Sequence, residues 1–143
     1  MTGKTINDAQ KDFLEQVMQK ANFSDIYDAR DTTVVVFRTL RDMMTTEASD
    51  RVEAAFTNPG IAKLWRDDNL IVRLLSRLRP PLTIDSEIFM RRITQEGSVP
   101  KDVTAQGVAI AVFSTVKSEL PTETIKEISG YLPEGVKVLW EQL

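Results

Sequence analysis

The stretch that decides the fold runs from Ala111 to Trp140, AVFSTVKSELPTETIKEISGYLPEGVKVLW, because an earlier part of the chain has the same pattern. Apolar positions match at a constant offset, and the dipeptide Leu64-Trp65 recurs as Leu139-Trp140 with that offset shortened by one position. A pattern that stays in register over this length predicts two similar structural units. The identical pairs at the constant offset include Phe37 with Phe113, Thr39 with Thr115, Thr46 with Thr122 and Glu47 with Glu123.

Apolar residues in the second copy recur at helical spacing. Val108, Val112, Val116 and Leu120 each lie one turn apart, which is typical of one face of an α-helix. The β-branched run Val34–Phe37 in the first copy has the composition of a strand, but its surroundings keep helical spacing. The pattern therefore predicts an all-α fold, with three main helices and a short fourth helix in each unit.

Each predicted unit is too small to bury its apolar face alone, so we expect the two units to pack on each other. A pseudo-two-fold arrangement is the expected relation between them. We place repeat A at about residues 7–65 and repeat B at about residues 84–143. An amphipathic linker helix at about residues 67–79 joins them, and residues 1–143 form a single domain.

Polar residues and prolines mark the predicted helix starts. Asn7 is a candidate cap of the first helix, and the carboxylate of Asp25 suits the positive end of the second. Thr45 or Thr46 is expected to cap the third. Pro100 suits the first position of the second helix in repeat B.

Two residue types that support much of enzyme chemistry are missing from the composition. The 143 residues contain no cysteine and no histidine, which excludes disulfides, thiolate ligands and histidine-based triads or zinc sites. No glycine-rich phosphate loop is present. We therefore predict no catalytic residue, no metal and no cofactor, and a protein that is not an enzyme.

The predicted location is the cytoplasm, by default. The amino terminus, MTGKTINDAQKDF, lacks the apolar core of a signal peptide. The longest apolar runs are too short to span a bilayer. A net charge of −3 is too small to indicate a membrane surface or a polyanion as partner.

Short motifs in the second copy are similar to a known family. Glu119–Glu123 (ELPTE), Leu132–Gly135 (LPEG) and Leu139-Trp140 resemble the bacterial repeat family called domain of unknown function 2267. The resemblance extends over nearly the whole chain, although Phe56–Gly60 replaces the LPEG turn in the first copy. It implies an all-α fold with two repeats, and it leaves the function open because the family itself is uncharacterised.

Trp65 and Trp140 stand at equivalent ends of the two units, as Phe37 and Phe113 stand at equivalent positions of the second helices. The tryptophans suit an aromatic platform for a ligand or partner. The alternative is that each closes the open end of its own unit with a large apolar side chain. We favour the second interpretation and treat all four residues as structural anchors.

The centre of the chain is its one basic region, and Arg73, Arg77 and Arg79 follow the flank of the linker helix. Guanidinium groups suit phosphate, so these residues are a candidate surface for a partner or an anion. The region lacks the interleaved aromatic residues that single-strand binders use. A solvated flank, or salt bridges between the units, is the favoured alternative, and nucleic acid is disfavoured as a partner.

The linker helix is richer in leucine than a simple connector requires. Leu70, Leu74 and Leu78 lie on one face of it. Either they fill the groove between the repeats, which we favour, or they remain exposed as an interaction surface.

These features together predict a non-catalytic helical interaction module of unknown biological role. Its partner is another protein or a second copy of itself. The alternative is a carrier that holds a small apolar or anionic ligand between the two repeats.

Overall fold

The computed structural model describes residue 6, residues 8–66 and residues 80–142, and this part of the chain contains helices and turns but no strand. The predicted all-α fold is therefore confirmed. The predicted cap Asn7 and the predicted linker helix at about residues 67–79 lie outside the described residues. The eight described helices are α1 (Asp8–Ala21), α2 (Ile26–Asp42), α3 (Thr46–Ala55), α4 (Pro59–Arg66), α5 (Ser86–Glu96), α6 (Ala105–Lys117), α7 (Thr122–Ser129) and α8 (Glu134–Glu141).

Side-chain oxygens cap several helices at the residues that the sequence predicts. The Asp25 carboxylate accepts a hydrogen bond from the Tyr27 backbone N–H at 2.7 Å. At the start of α3 the Thr45 hydroxyl accepts from the Ala48 N–H at 3.1 Å. These bonds satisfy N–H groups that have no partner within the helix.

The predicted start of α6 at Pro100 is wrong. The helix begins at Ala105, and the Thr104 hydroxyl accepts from the Gly107 N–H at 2.9 Å. The Val103 N–H donates to the Pro100 oxygen at 3.1 Å in the preceding turn. The Thr104 oxygen caps the first turn of the helix, whereas a helix with Pro100 at its first position would have Val99 as its cap, and valine has no side-chain acceptor.

The helices of the two halves pack on each other reciprocally. Helix α1 lies against α6, and α2 lies against α5. The first helix of each half therefore contacts the second helix of the other half. Within each half, the last short helix packs on the first two. This exchange is the arrangement that the predicted two-fold relation would produce.

Two aromatic groups fill the interior at matching places. In the first half the Phe37 ring lies 6.2 Å from the Phe13 ring and 5.4 Å from the Trp65 ring, measured between centroids. In the second half the Phe113 ring lies 6.1 Å from Phe89 and 5.0 Å from Trp140. Each group ties three helices of its own half together, with the tilted geometry that aromatic pairs prefer.

Two glycines lie where one helix approaches another closely. A Cβ atom on Gly60 would lie 2.8 Å from the Ala9 Cβ, and one on Gly135 would lie 2.7 Å from the Ser86 Oγ. Gly60 and Gly135 are separated by the same length of chain as Trp65 and Trp140. In both halves a glycine therefore lets the last helix approach the beginning of the first.

Candidate functional site

Both tryptophans lie in the interior. Trp65 and Trp140 are each 1% exposed. Their indole N–H groups donate to backbone oxygens at 3.1 Å, Trp65 to Ser49 and Trp140 to Ile125. The two acceptors occupy corresponding positions of the two repeats. Phe37 and Phe113 are fully buried beside the tryptophans. Burial of this kind leaves little ring surface for an external partner.

The basic region divides between described and undescribed residues. Arg73, Arg77 and Arg79, together with Leu70, Leu74 and Leu78, lie outside the described residues. Three other arginines of the region form ion pairs. These pairs are Arg66 with Glu53 at 3.1 Å, Arg91 with Glu87 at 2.8 Å and Arg92 with Asp42 at 2.8 Å. The last pair joins α2 to α5 and so links the two halves, while the alternative given for Arg73, Arg77 and Arg79 stays a prediction.

A cation at the end of the second helix caps the last helix in each half. The Arg41 guanidinium donates to the Arg66 oxygen at 2.9 Å. At the corresponding position of the second half, the Lys117 ammonium donates to the backbone oxygens of Trp140 and Gln142. Cations are favourable at this end of a helix because its last carbonyls carry negative partial charge.

Lys117 also forms one wall of an open groove of about 310 Å³, which we call the α7–α8 groove. The Lys117 nitrogen lies 5.7 Å from the centre of the Trp140 ring. The Ser129 hydroxyl donates to the Glu141 carboxylate at 3.1 Å across the groove. The lining residues are Lys117, Ile125, Lys126, Ser129, Trp140 and Glu141.

Burial lowers the pKa of Lys117, because removal from water disfavours the charged ammonium. The nearby Glu141 carboxylate opposes this effect. An additional anion in the α7–α8 groove would act in the same direction as Glu141. Negative charge bound in the groove would therefore stabilise the charged form of Lys117.

A second polar cluster lies where α3 and α7 meet. The Arg51 guanidinium donates to the Glu127 carboxylate at 2.5 Å, and the Tyr131 hydroxyl donates to the same oxygen at 2.9 Å. The Arg51 hydrogen bond lowers the pKa of Glu127. Burial raises the pKa of Tyr131, and the bond to Glu127 adds to the rise. The Arg51 bond links the two halves, and the Tyr131 bond helps to hold the Glu127 carboxylate in position.

The described ranges contain no group of three or more carboxylates close enough together to hold a metal ion. None of their helices combines the length and the apolar character needed to cross a membrane.

The chain matches the family described as "Uncharacterized conserved protein (DUF2267)" over residues 10–139. The protein belongs to this family. The matched range begins in α1 and ends in α8, so it includes helices of both halves. A comparison with curated proteins found no match.

The DUF2267 match includes four lining residues of the α7–α8 groove, and Trp140 and Glu141 directly follow it. Sequence reasoning missed this groove. One available signal was that Lys117 and Arg41 stand at corresponding positions of the repeats, which places a cation at the same point of both halves. The presence of Lys126 in the same groove as Lys117 depends on how α7 packs, and no spacing in the sequence gives that.

Proposed function

We propose that this protein is a non-catalytic interaction module, which binds another protein or a second copy of itself. The observation that carries the proposal is a pair of exposed apolar side chains where the halves join. Leu82 is 39% exposed and Ile88 is 37% exposed. We call these two residues, with the exposed Pro80 and Pro81, the junction patch.

Backbone and ionic contacts hold the junction patch in place. The Leu82 N–H donates to the Asp42 oxygen at the end of α2 at 2.7 Å. The Asp42 carboxylate accepts from Arg92 of α5 at 2.8 Å. Ile88 lies one turn before Arg92 on the same helix, so Leu82 and Ile88 flank the Asp42–Arg92 ion pair.

The chemistry of the patch suits a protein partner. Exposed apolar groups lose contact with water on binding, which stabilises the complex by about 25 cal/mol for each Å² of apolar surface buried. The prolines have a fixed φ angle and no backbone N–H, so ordering them costs little entropy and leaves few donors to desolvate. The absence of cysteine and histidine from the sequence is a further support for a role without catalysis.

The interior between the halves gives no support to a carrier that holds its ligand there. Leu14 and Val17 of α1 are fully buried, as are Val108 and Val112 of α6. These two helices pack directly on each other. The space between them is occupied by the protein's own side chains.

Site-specific photo-crosslinking in the host cell tests the proposal. A photoreactive amino acid at Ile88 should give a discrete crosslinked product, and the Leu82→Ser substitution should reduce its yield. Val138 is the matched control position, because it is 56% exposed on α8 and outside the junction patch. Equal products from both positions, or none at Ile88 together with a strict monomer in sedimentation, would contradict the proposal.

A further inference from the structure

We propose that the α7–α8 groove binds the carboxylate group of a small organic acid. Two ammonium groups line it, Lys117 on the inner side and Lys126 on the rim. Glu141 is the one acid among the described residues that line it, and the Ser129 hydroxyl already donates to it. The groove therefore has a net positive charge that an anionic ligand would neutralise.

The two lysines of the groove have N–H donors that make no bond to the described residues and are available to a ligand. An ammonium group has three N–H donors, and Lys117 uses two of them on the oxygens of Trp140 and Gln142. Lys126 is exposed and forms no ion pair with another residue of the described chain. A carboxylate has two oxygens, so it can accept from both lysines at once.

The excess of positive charge is particular to the second half. The corresponding positions of the first half carry Arg41, Asp50, Glu53 and Arg66, in which acids and bases balance. There the Glu53–Arg66 ion pair joins α3 to α4 at 3.1 Å. The matching contact in the second half is a hydrogen bond from the neutral Ser129 hydroxyl to the Glu141 carboxylate. The short helices of the first half therefore pack with Asp50 at the position that corresponds to Lys126, so this packing does not require a lysine there.

The remaining lining residues suit an apolar ligand body. Ile125 is half-buried and offers apolar surface to the groove, whereas Trp140 is 1% exposed and lies behind it. A volume of about 310 Å³ lies at the lower end of the range for small-molecule sites. An aromatic or short branched acid is of the right size and chemistry.

Titration of ¹⁵N-labelled protein with benzoate tests the proposal, with benzamide as the uncharged analogue. Benzoate should shift the amide signals of residues 117, 126 and 129 in a saturable way, and benzamide should bind at least about tenfold more weakly. Benzoate should also raise the pKa of Lys117. Added salt should weaken benzoate binding because the groove is open.

The rim lysine gives the matched variants. Lys126→Gln should weaken benzoate binding about fivefold, and Lys137→Gln, which removes an exposed lysine of α8 outside the groove, should leave it unchanged. Equal binding of benzamide, shifts centred elsewhere, or no effect of Lys126→Gln would overturn the proposal. Tighter binding of inorganic phosphate than of benzoate would also overturn it, because the site would then select charge alone.

Discussion

At the scale of single residues, Thr33 places a polar group in the apolar interior. It is fully buried in α2, and its hydroxyl has no hydrogen-bond partner within the described part of the chain. The buried Thr39, further along the same helix, donates to the Val35 oxygen at 2.8 Å. The position of the second repeat that corresponds to Thr33 is Ala109, which is buried without any polar group. The hydroxyl of Thr33 is therefore not a requirement of this place in the fold.

Thr33→Val should stabilise the protein by about 1 kcal/mol. Valine has nearly the same shape and replaces an unsatisfied buried hydroxyl with a methyl group. Urea unfolding followed by far-UV circular dichroism measures the change. Thr39→Val is the matched control and should lower the free energy of unfolding, because it removes a hydrogen bond that is made. A similar loss of stability in both variants would contradict the description of Thr33.

At the scale of helices, the close approach of the last helix to the first depends on Gly60 and Gly135. Gly60→Ala should destabilise the protein by about 1–2 kcal/mol, because the new Cβ would lie 2.9 Å from the Ala9 backbone carbon as well as near its Cβ. Gly135→Ala should cost less, since the nearest atom is the Ser86 hydroxyl oxygen, which can rotate away, and the fixed Ser86 Cβ lies at 3.0 Å rather than 2.8 Å. Thermal unfolding of both variants measures the difference.

Gly130→Ala is the control for these substitutions. Gly130 has a φ of −66°, and the nearest atom to an added Cβ lies at 3.4 Å. Alanine fits this conformation, so the variant should be neutral or slightly stabilising. If Gly60→Ala behaved like Gly130→Ala, the close contact between α1 and α4 would not limit stability.

The elements show which features sequence alone can predict. Helical spacing and capping oxygens are local properties, and they gave the all-α class and the start of α2 at Asp25. The start of α6 was misplaced because Pro100 and Thr104 both suit a helix start, and the local turn decides between them. The groove was missed because Lys117 and Lys126 stand on different helices. Their proximity depends on the angle between α6 and α7, which no local pattern specifies.

At the scale of the whole molecule, the polar contacts between the halves are made by unlike residues. Arg51 and Glu127 occupy corresponding positions of the two repeats and contact each other at 2.5 Å. Their contact places both residues where the two halves approach each other. The same residue at both positions would bring like charges together. The opposite charges of Arg51 and Glu127 therefore suit two halves joined in one chain.

The pair should make stability depend on pH on the acid side. The Arg51 hydrogen bond holds the pKa of Glu127 below its ordinary value of 4.5. A carboxylate whose pKa is lowered in the folded state stabilises the protein at pH values above its unfolded-state pKa. This contribution is lost as the pH falls through its folded-state pKa. The wild type should therefore exceed Glu127→Gln in urea midpoint at pH 6, and the difference should shrink below pH 4.5.

Glu87→Gln is the control, because Glu87 pairs with Arg91 inside α5 and its side chain is 81% exposed. An exposed pair within one helix contributes little, so this variant should follow the wild type at each pH. Glu127 also accepts from Tyr131, and Tyr131→Phe should reduce part of the same acid-side effect without reversing it. A constant difference between wild type and Glu127→Gln from pH 6 to pH 3 would mean that the carboxylate's charge does not hold α3 to α7.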